Sequence, residues 1–119
     1  LFSRSLHHAL RGLRLCFVAE RNFRFQLAAG LLAISASFAL PLLSWQRVIV
    51  WFVVMTVLVL ELINSSMERL VDLVKPQLHE SARDIKDLMA AAVLMASFFA
   101  VLIGLMIFLP SFFLALRAV

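Results

Sequence analysis

The polar and apolar positions of this chain fall into four successive blocks. Residues 4–18 place Leu6, Leu10, Leu13 and Phe17 at helical spacing, with Arg4, His7, Arg11 and Arg14 on another side. Leu15 and Val18 interrupt the polar side, but the pattern predicts a surface helix over about 4–22, lying on a membrane with its arginines at anionic headgroups. The next block, 25–43, is apolar apart from Gln26 and small Ser or Gly residues. At about 1.5 Å per residue its 19 residues reach roughly 28 Å, close to the ~30 Å hydrocarbon thickness of a bilayer. Pro41 and Ser44 close this first span, and Trp45 and Trp51 suit an aromatic belt at the outer interface.

The third block predicts a second span over about 47–75, stopped by Pro76. Residues 48–63 cover about 24 Å of helix, which sets Glu61 at the inner edge of the hydrocarbon and sends Glu68 and Asp72 toward cytoplasmic headgroups. In the fourth block, "SARD" gives Ser81 and Asp84 the spacing of a capping box. The third span then runs over about 82–109, ending before Pro110, with Ala90, Ala91 and Ala92 permitting close helix packing. The expected fold is an all-α integral membrane domain spanning residues 1–119, with three transmembrane helices plus the amino-terminal amphipathic surface helix.

Composition agrees with that pattern. The 119 residues are 64% hydrophobic and 15% charged, with a mean hydropathy of +1.03, where soluble domains sit near half apolar and a quarter charged. Arg4, Arg11, Arg14, Arg21 and Arg24 form one basic cluster, and Arg69, Lys75, Arg83 and Lys86 another, leaving Arg47 and Arg117 elsewhere. Cytoplasmic segments carry the Lys/Arg excess, so the amino terminus is expected inside and the carboxyl terminus outside. No basic patch is interleaved with base-stacking aromatics outside the apolar segments, which argues against nucleic acid as a partner. Cys16 is the single cysteine; it excludes an intrachain disulfide and a cysteine cage, and reads as a small apolar helix residue. Because the chain opens at Leu1, further residues are expected upstream. The basic start lacks a small-residue cleavage site and is not expected to be a removable signal.

The chemistry concentrates in "LELINSSMERLVD", residues 60–72. At about 100° per residue, Glu61, Asn64, Ser65, Glu68 and Asp72 form one polar stripe within a wedge of roughly 100°. An ionisable group at membrane depth is costly, and function is the default reading for Glu61; a charged stripe leaving a membrane, such as Glu68 and Asp72, is more often merely solvated. Glu61 and Glu68 stand about 10 Å apart along the axis, too far for both to hold one Mg²⁺ at ligand distances of about 2.1 Å. Two roles follow. Glu61 suits a general base taking a proton from a hydroxyl, and Glu68 a hard cation completed by phosphate oxygens and a second carboxylate, for which Glu20 lies at the same membrane face. Lys86, with Asp87 near the start of the third span, suits neutralisation of phosphate charge or, taken alone, a snorkelling interface residue. His79 alone reads as a loop residue.

With glycines only at 12, 30 and 104 there is no P-loop and no kinase glycine loop, nor is there an HExxH pair. If the chain is a phosphotransferase, its site must be assembled from carboxylates, Mg²⁺ and basic side chains alone. A proton relay or small transporter is a competing reading, but it wants its carboxylate near mid-bilayer and polar groups on both sides, whereas all seven acidic residues fall on the inner half. A non-catalytic adaptor leaves the aligned carboxylates without a use.

The pattern ExxNSxxExxxD at residues 61–72, the later KDxxAAAV at 86–93 and the block "AERNF" at 19–23 closely resemble the prokaryotic diacylglycerol kinase family of small integral membrane lipid kinases. The resemblance covers nearly the whole chain. It implies Mg²⁺- and ATP-dependent phosphorylation of a lipid alcohol in the bacterial cytoplasmic membrane, by a homotrimer with active sites shared between subunits. It further implies Glu61 as catalytic base and Glu20 and Glu68 as Mg²⁺ ligands. Nucleotide contacts are implied at His8, Glu20, Glu68, His79, Lys86 and Asp87, and supporting polar roles for Asn64, Ser65 and Asp72. Lipid contacts are implied at Asn22, Phe23, Arg24, Phe25 and Gln26, with Glu61 and Ala90. His8, "ERNF" and the ending "GLMIFLP" look more like the undecaprenol kinase branch, which makes undecaprenol the expected acceptor and diacylglycerol the alternative.

Overall fold

The computed structural model describes residues 1–74 and 79–119, all of the regular structure being helical: α1 (Phe2–Ala19), α2 (Arg21–Ala39), α3 (Ser44–Val74) and α4 (His79–Arg117). The expected stop at Lys75 and Pro76 lies outside the described residues. α3 packs most extensively on α4 and next on α2, while α1 packs more lightly on α2 and α3. The molecule is elongated, 62 × 37 × 22 Å, as long antiparallel helices require.

Two helices, Ser44–Val74 and Glu80–Arg117, are long and apolar enough to cross a membrane. The segment 25–43 expected as a first span forms part of α2, which is not one of these two helices. Leu40 is extended (φ −99°, ψ 156°), as the residue before a proline tends to be, and α2 ends at Ala39. At its other end α2 takes in Arg21 and Arg24, so the apolar helical part, 25–39, is only about 22 Å long.

Three further boundaries differ from expectation. α1 stops at Ala19, short of residue 22, because Glu20 turns extended (φ −108°, ψ 107°); its amide still closes the last turn onto the Cys16 carbonyl at 2.8 Å. Ser81 and Asp84 do not cap α4. The helix has already begun at His79, and Glu80 supplies the first-turn carboxylate that the positive end of the helix dipole favours. Pro110 does not end α4 either: the helix runs on to Arg117. Proline forfeits the hydrogen bond to the Met106 carbonyl, but 111–117 is apolar but for Ser111 and Arg117, and in hydrocarbon helical pairing of every other backbone group outweighs that loss.

Near the α2–α3 connection, Leu42, Val50 and Ile107 form a buried cluster against Ala33, Ile49, Val54, Ile103 and Phe108. α3 opens with a partial capping box in which the Leu43 amide donates to Gln46 Oε1 at 2.8 Å. Arg47 reaches back to the Ser37 carbonyl (2.7 Å) and lies over the Phe38 ring, tying α3 to the end of α2. In mid-helix, Gln26 donates to Ser97 Oγ at 3.2 Å and joins α2 to α4. Most large apolar side chains face outward, among them Leu32, Phe52, Leu94, Phe98 and Met106.

Candidate active site

The end of the bundle next to the α1–α2 elbow carries the polar stripe. Glu61 and Ser65, one turn apart on α3, face α1 and α2 and are almost completely buried, at 3% and 6% exposure. A buried carboxylate demands a partner. Asn22, on the first turn of α2, donates from Nδ2 to Glu61 Oε1. One turn further in, Ser65 Oγ donates to Glu20 Oε1 at 3.1 Å. Asn64 Nδ2 lies 3.4 Å from Glu68 Oε1, a long bond within the stripe itself. The charges of Glu20, at the α1–α2 elbow, and of Glu68, on α3, both act on Glu61.

Two hydrogen-bond sets hold the elbow. The Glu20 amide ends α1, and its carbonyl starts α2 by accepting from the Arg24 amide at 3.3 Å. The Arg24 guanidinium folds back on α1 and donates from Nη1 to the carbonyls of Phe17 (2.7 Å) and Val18 (3.0 Å). Lys86, from α4, bonds Asp72 Oδ1 at 2.8 Å and ties the start of α4 to the end of α3.

Of the residues expected in the site, the fold therefore gathers Glu20, Asn22, Glu61, Asn64, Ser65 and Glu68, with Lys86 and Asp72 as a neighbouring pair. Phe23 is buried, Gln26 is half-buried and turned to α4, and Phe25, Asp87 and Ala90 are exposed. His8 is exposed on α1, its ring 5.9 Å from that of His7. The side chain of His79 lies outside the described residues. Cys16 was legible only as an apolar helix residue. It is buried at 3% exposure and in contact with Ser65; burial, and then the charge of Glu20, push its thiol above the ordinary value, so it stays protonated and serves as packing beneath the site. Its spacing of four residues before Glu20 was the available signal, since i and i+4 share a helix face.

Among the described residues no three His, Cys, Asp or Glu side chains converge into a ready-made metal cage. The donor set is nevertheless of the right chemistry for Mg²⁺, a hard cation that takes one or two carboxylates and fills its octahedron with water and phosphate oxygens.

Comparison with known proteins places this arrangement. The model of the prokaryotic diacylglycerol kinase family matches residues 7–108. The chain belongs to that family. It is 35% identical over 109 residues to the undecaprenol kinase of Bacillus subtilis, an alignment covering 92% of this chain and 89% of that protein. It is 36% identical over 107 residues to the diacylglycerol kinase of Synechocystis, covering 89% of this chain and 61% of the other. With the diacylglycerol kinase of Escherichia coli K12 it shares 35% identity over 95 residues, 80% of this chain and 78% of the relative. As a member of this family the chain is a membrane-associated lipid kinase, an enzyme that moves a phosphoryl group from ATP to the alcohol of a lipid. Family membership displaces the transporter and adaptor readings.

Proposed function

We propose that the chain phosphorylates the hydroxyl of undecaprenol, with Mg²⁺ assisting, at the inner face of the bacterial cytoplasmic membrane. The observation that carries the site is the buried Glu61 carboxylate, held by Asn22 at the inner end of a helix long enough to span the bilayer. A lipid alcohol keeps its hydroxyl at the boundary of headgroups and hydrocarbon, the level at which residue 61 falls on α3.

In this reading Glu61 is the general base. It accepts the hydroxyl proton as the lipid oxygen bonds to the γ-phosphorus of ATP; the bond from that phosphorus to the β–γ bridging oxygen breaks, and ADP leaves with the electron pair. Asn22, by occupying Oε1, turns the other carboxylate oxygen toward the acceptor. Glu20 and Glu68 would hold Mg²⁺, which when bound offsets negative charge on the phosphates. Ser65 and Asn64 orient those two carboxylates. Lys86, with Asp87, His79 and His8, contacts nucleotide, and Asp72 holds Lys86 at the site. Asn22, Phe23, Phe25, Gln26 and Ala90 line the path of the lipid.

The proposal includes three spans, with α2 as the short third one, α1 lying on the cytoplasmic surface, the amino terminus inside and the carboxyl terminus outside, and a homotrimer with shared sites. The outward apolar surfaces of α2, α3 and α4 support both lipid contact and association of copies. For undecaprenol speaks the 35% identity to an undecaprenol kinase over 89% of that protein's length. Diacylglycerol is the second reading, favoured by similar identity to two diacylglycerol kinases. Transfer of labelled γ-phosphate to undecaprenol and to diacylglycerol, side by side in mixed micelles, separates them. The expected result is a higher kcat/KM for undecaprenol; a preference for diacylglycerol reverses the assignment, and transfer to neither ends it.

A further inference from the structure

The family resemblance groups Arg24 with the lipid-contacting positions around it, but its bonds point elsewhere. Both go to backbone carbonyls at the end of α1, those of Phe17 and Val18, at 2.7 and 3.0 Å. A helix ends with four carbonyls that have no intrahelical donor. In α1 the Cys16 carbonyl is taken by the Glu20 amide, and the next two by one guanidinium nitrogen of Arg24. A cation at this position also complements the negative end of the α1 dipole. The guanidinium is planar and cannot lose its charge, so it makes the short, directional bonds that a clamp needs.

What lies inside the clamp is a single residue. Between the last residue of α1, Ala19, and the first of α2, Arg21, stands only Glu20, whose extended φ and ψ set the angle between the two helices. Its side chain bonds Ser65 Oγ on α3. Glu20 thus has its amide in α1, its carbonyl in α2 and its carboxylate on α3, and a rotation of α1 against α2 moves the carboxylate directly. α1 has few other contacts to resist such a rotation.

We propose that Arg24 is a positioning residue that fixes the α1–α2 elbow and thereby holds the Glu20 carboxylate against α3. The consequence for catalysis rests on the reading of Glu20 as part of the nucleotide and Mg²⁺ site; the clamp itself does not. Two measurements keep them apart. In a Cys16→Ala background, nitroxide labels introduced by Gly12→Cys and Leu31→Cys report the elbow angle, with labelled chains diluted in unlabelled ones to suppress distances between copies. Arg24→Met, which keeps an apolar stem and loses the donors, is expected to broaden the distance distribution, and Arg24→Lys to restore much of it. An unchanged distribution in Arg24→Met overturns the clamp. In steady-state kinetics Arg24→Met is expected to raise KM for Mg-ATP several-fold and leave KM for the lipid alcohol within twofold, with Arg24→Lys recovering most of the loss. A rise confined to the lipid KM, with the distance distribution still narrow, makes Arg24 a lipid contact and overturns the proposal. Glu20→Gln serves as reference: if it binds Mg-ATP as well as wild type does, the role of Glu20 fails, while the label distances still decide the clamp.

Discussion

A carboxylate buried at 3% exposure and held by an amide behaves differently from a half-buried one beside water, and the difference assigns separate losses to the two glutamates of α3. Glu61→Gln keeps size and hydrogen bonding to Asn22 but cannot take a proton. Its kcat is expected to fall by about 10²–10⁴, the range for a general base, with Mg-ATP affinity within twofold. Glu68→Gln removes a charge from the proposed cation site, so Mg-ATP affinity itself is expected to weaken about tenfold or more. Titration of nucleotide binding beside initial rates of transfer tests both. Wild-type turnover in Glu61→Gln, or unaltered Mg-ATP binding in Glu68→Gln, refutes the corresponding role. The stripe was legible because residues at i, i+3, i+4 and i+7 share a helix face; its partners were not. Nothing in the local pattern says that Asn22 bonds Glu61 or that Ser65 bonds Glu20, since these pairs are 39 and 45 residues apart and depend on the extended turn at Glu20.

The helices themselves were legible from the apolar runs, and their ends were not. Pro110 is the clearest instance: the rule that proline breaks helices is drawn from water, where a freed carbonyl can be solvated, whereas an apolar surrounding favours continuing the helix past the defect. The close approach of α2 to α3 was hidden too, because Gly30 looks like any small residue in an apolar run. A β-carbon placed there would stand 2.6 Å from Val54 Cγ1, and Val54, branched at Cβ, has little freedom to rotate aside. Gly30→Ala is expected to destabilise the chain by about 1–3 kcal/mol through overpacking. Adding Val54→Ala should recover part of that loss by making room. Thermal unfolding in detergent reads both changes; equal midpoints for wild type and Gly30→Ala show that the helices are not pressed together at this point.

At the scale of the molecule, the pairing of Lys86 with Asp72 bears on how a complete site is assembled. Within one chain, Glu61 is bonded to Asn22 and Glu20 to Ser65, while Lys86 is bonded to Asp72 and lies within reach of the Glu68 charge. In the proposed trimer with sites at the subunit boundaries, the lysine that serves the phosphates near one chain's Glu61 is expected to come from its neighbour. Closed cyclic symmetry then repeats the same heterologous contact three times. Complementation follows. Glu61→Gln chains and Lys86→Ala chains, each nearly inactive alone, are expected to regain activity when unfolded together in equal amounts and reconstituted. Random mixing gives an intact base beside an intact lysine in roughly a quarter of sites, so about a quarter of wild-type activity is the expected plateau. If each site were completed within one chain, no mixture would exceed its parents, because every chain would lack one of the two groups. The dependence on mixing ratio is a second constraint: recovery should be greatest at equal amounts and fall symmetrically on either side, whereas a contaminating wild-type fraction gives activity independent of the ratio.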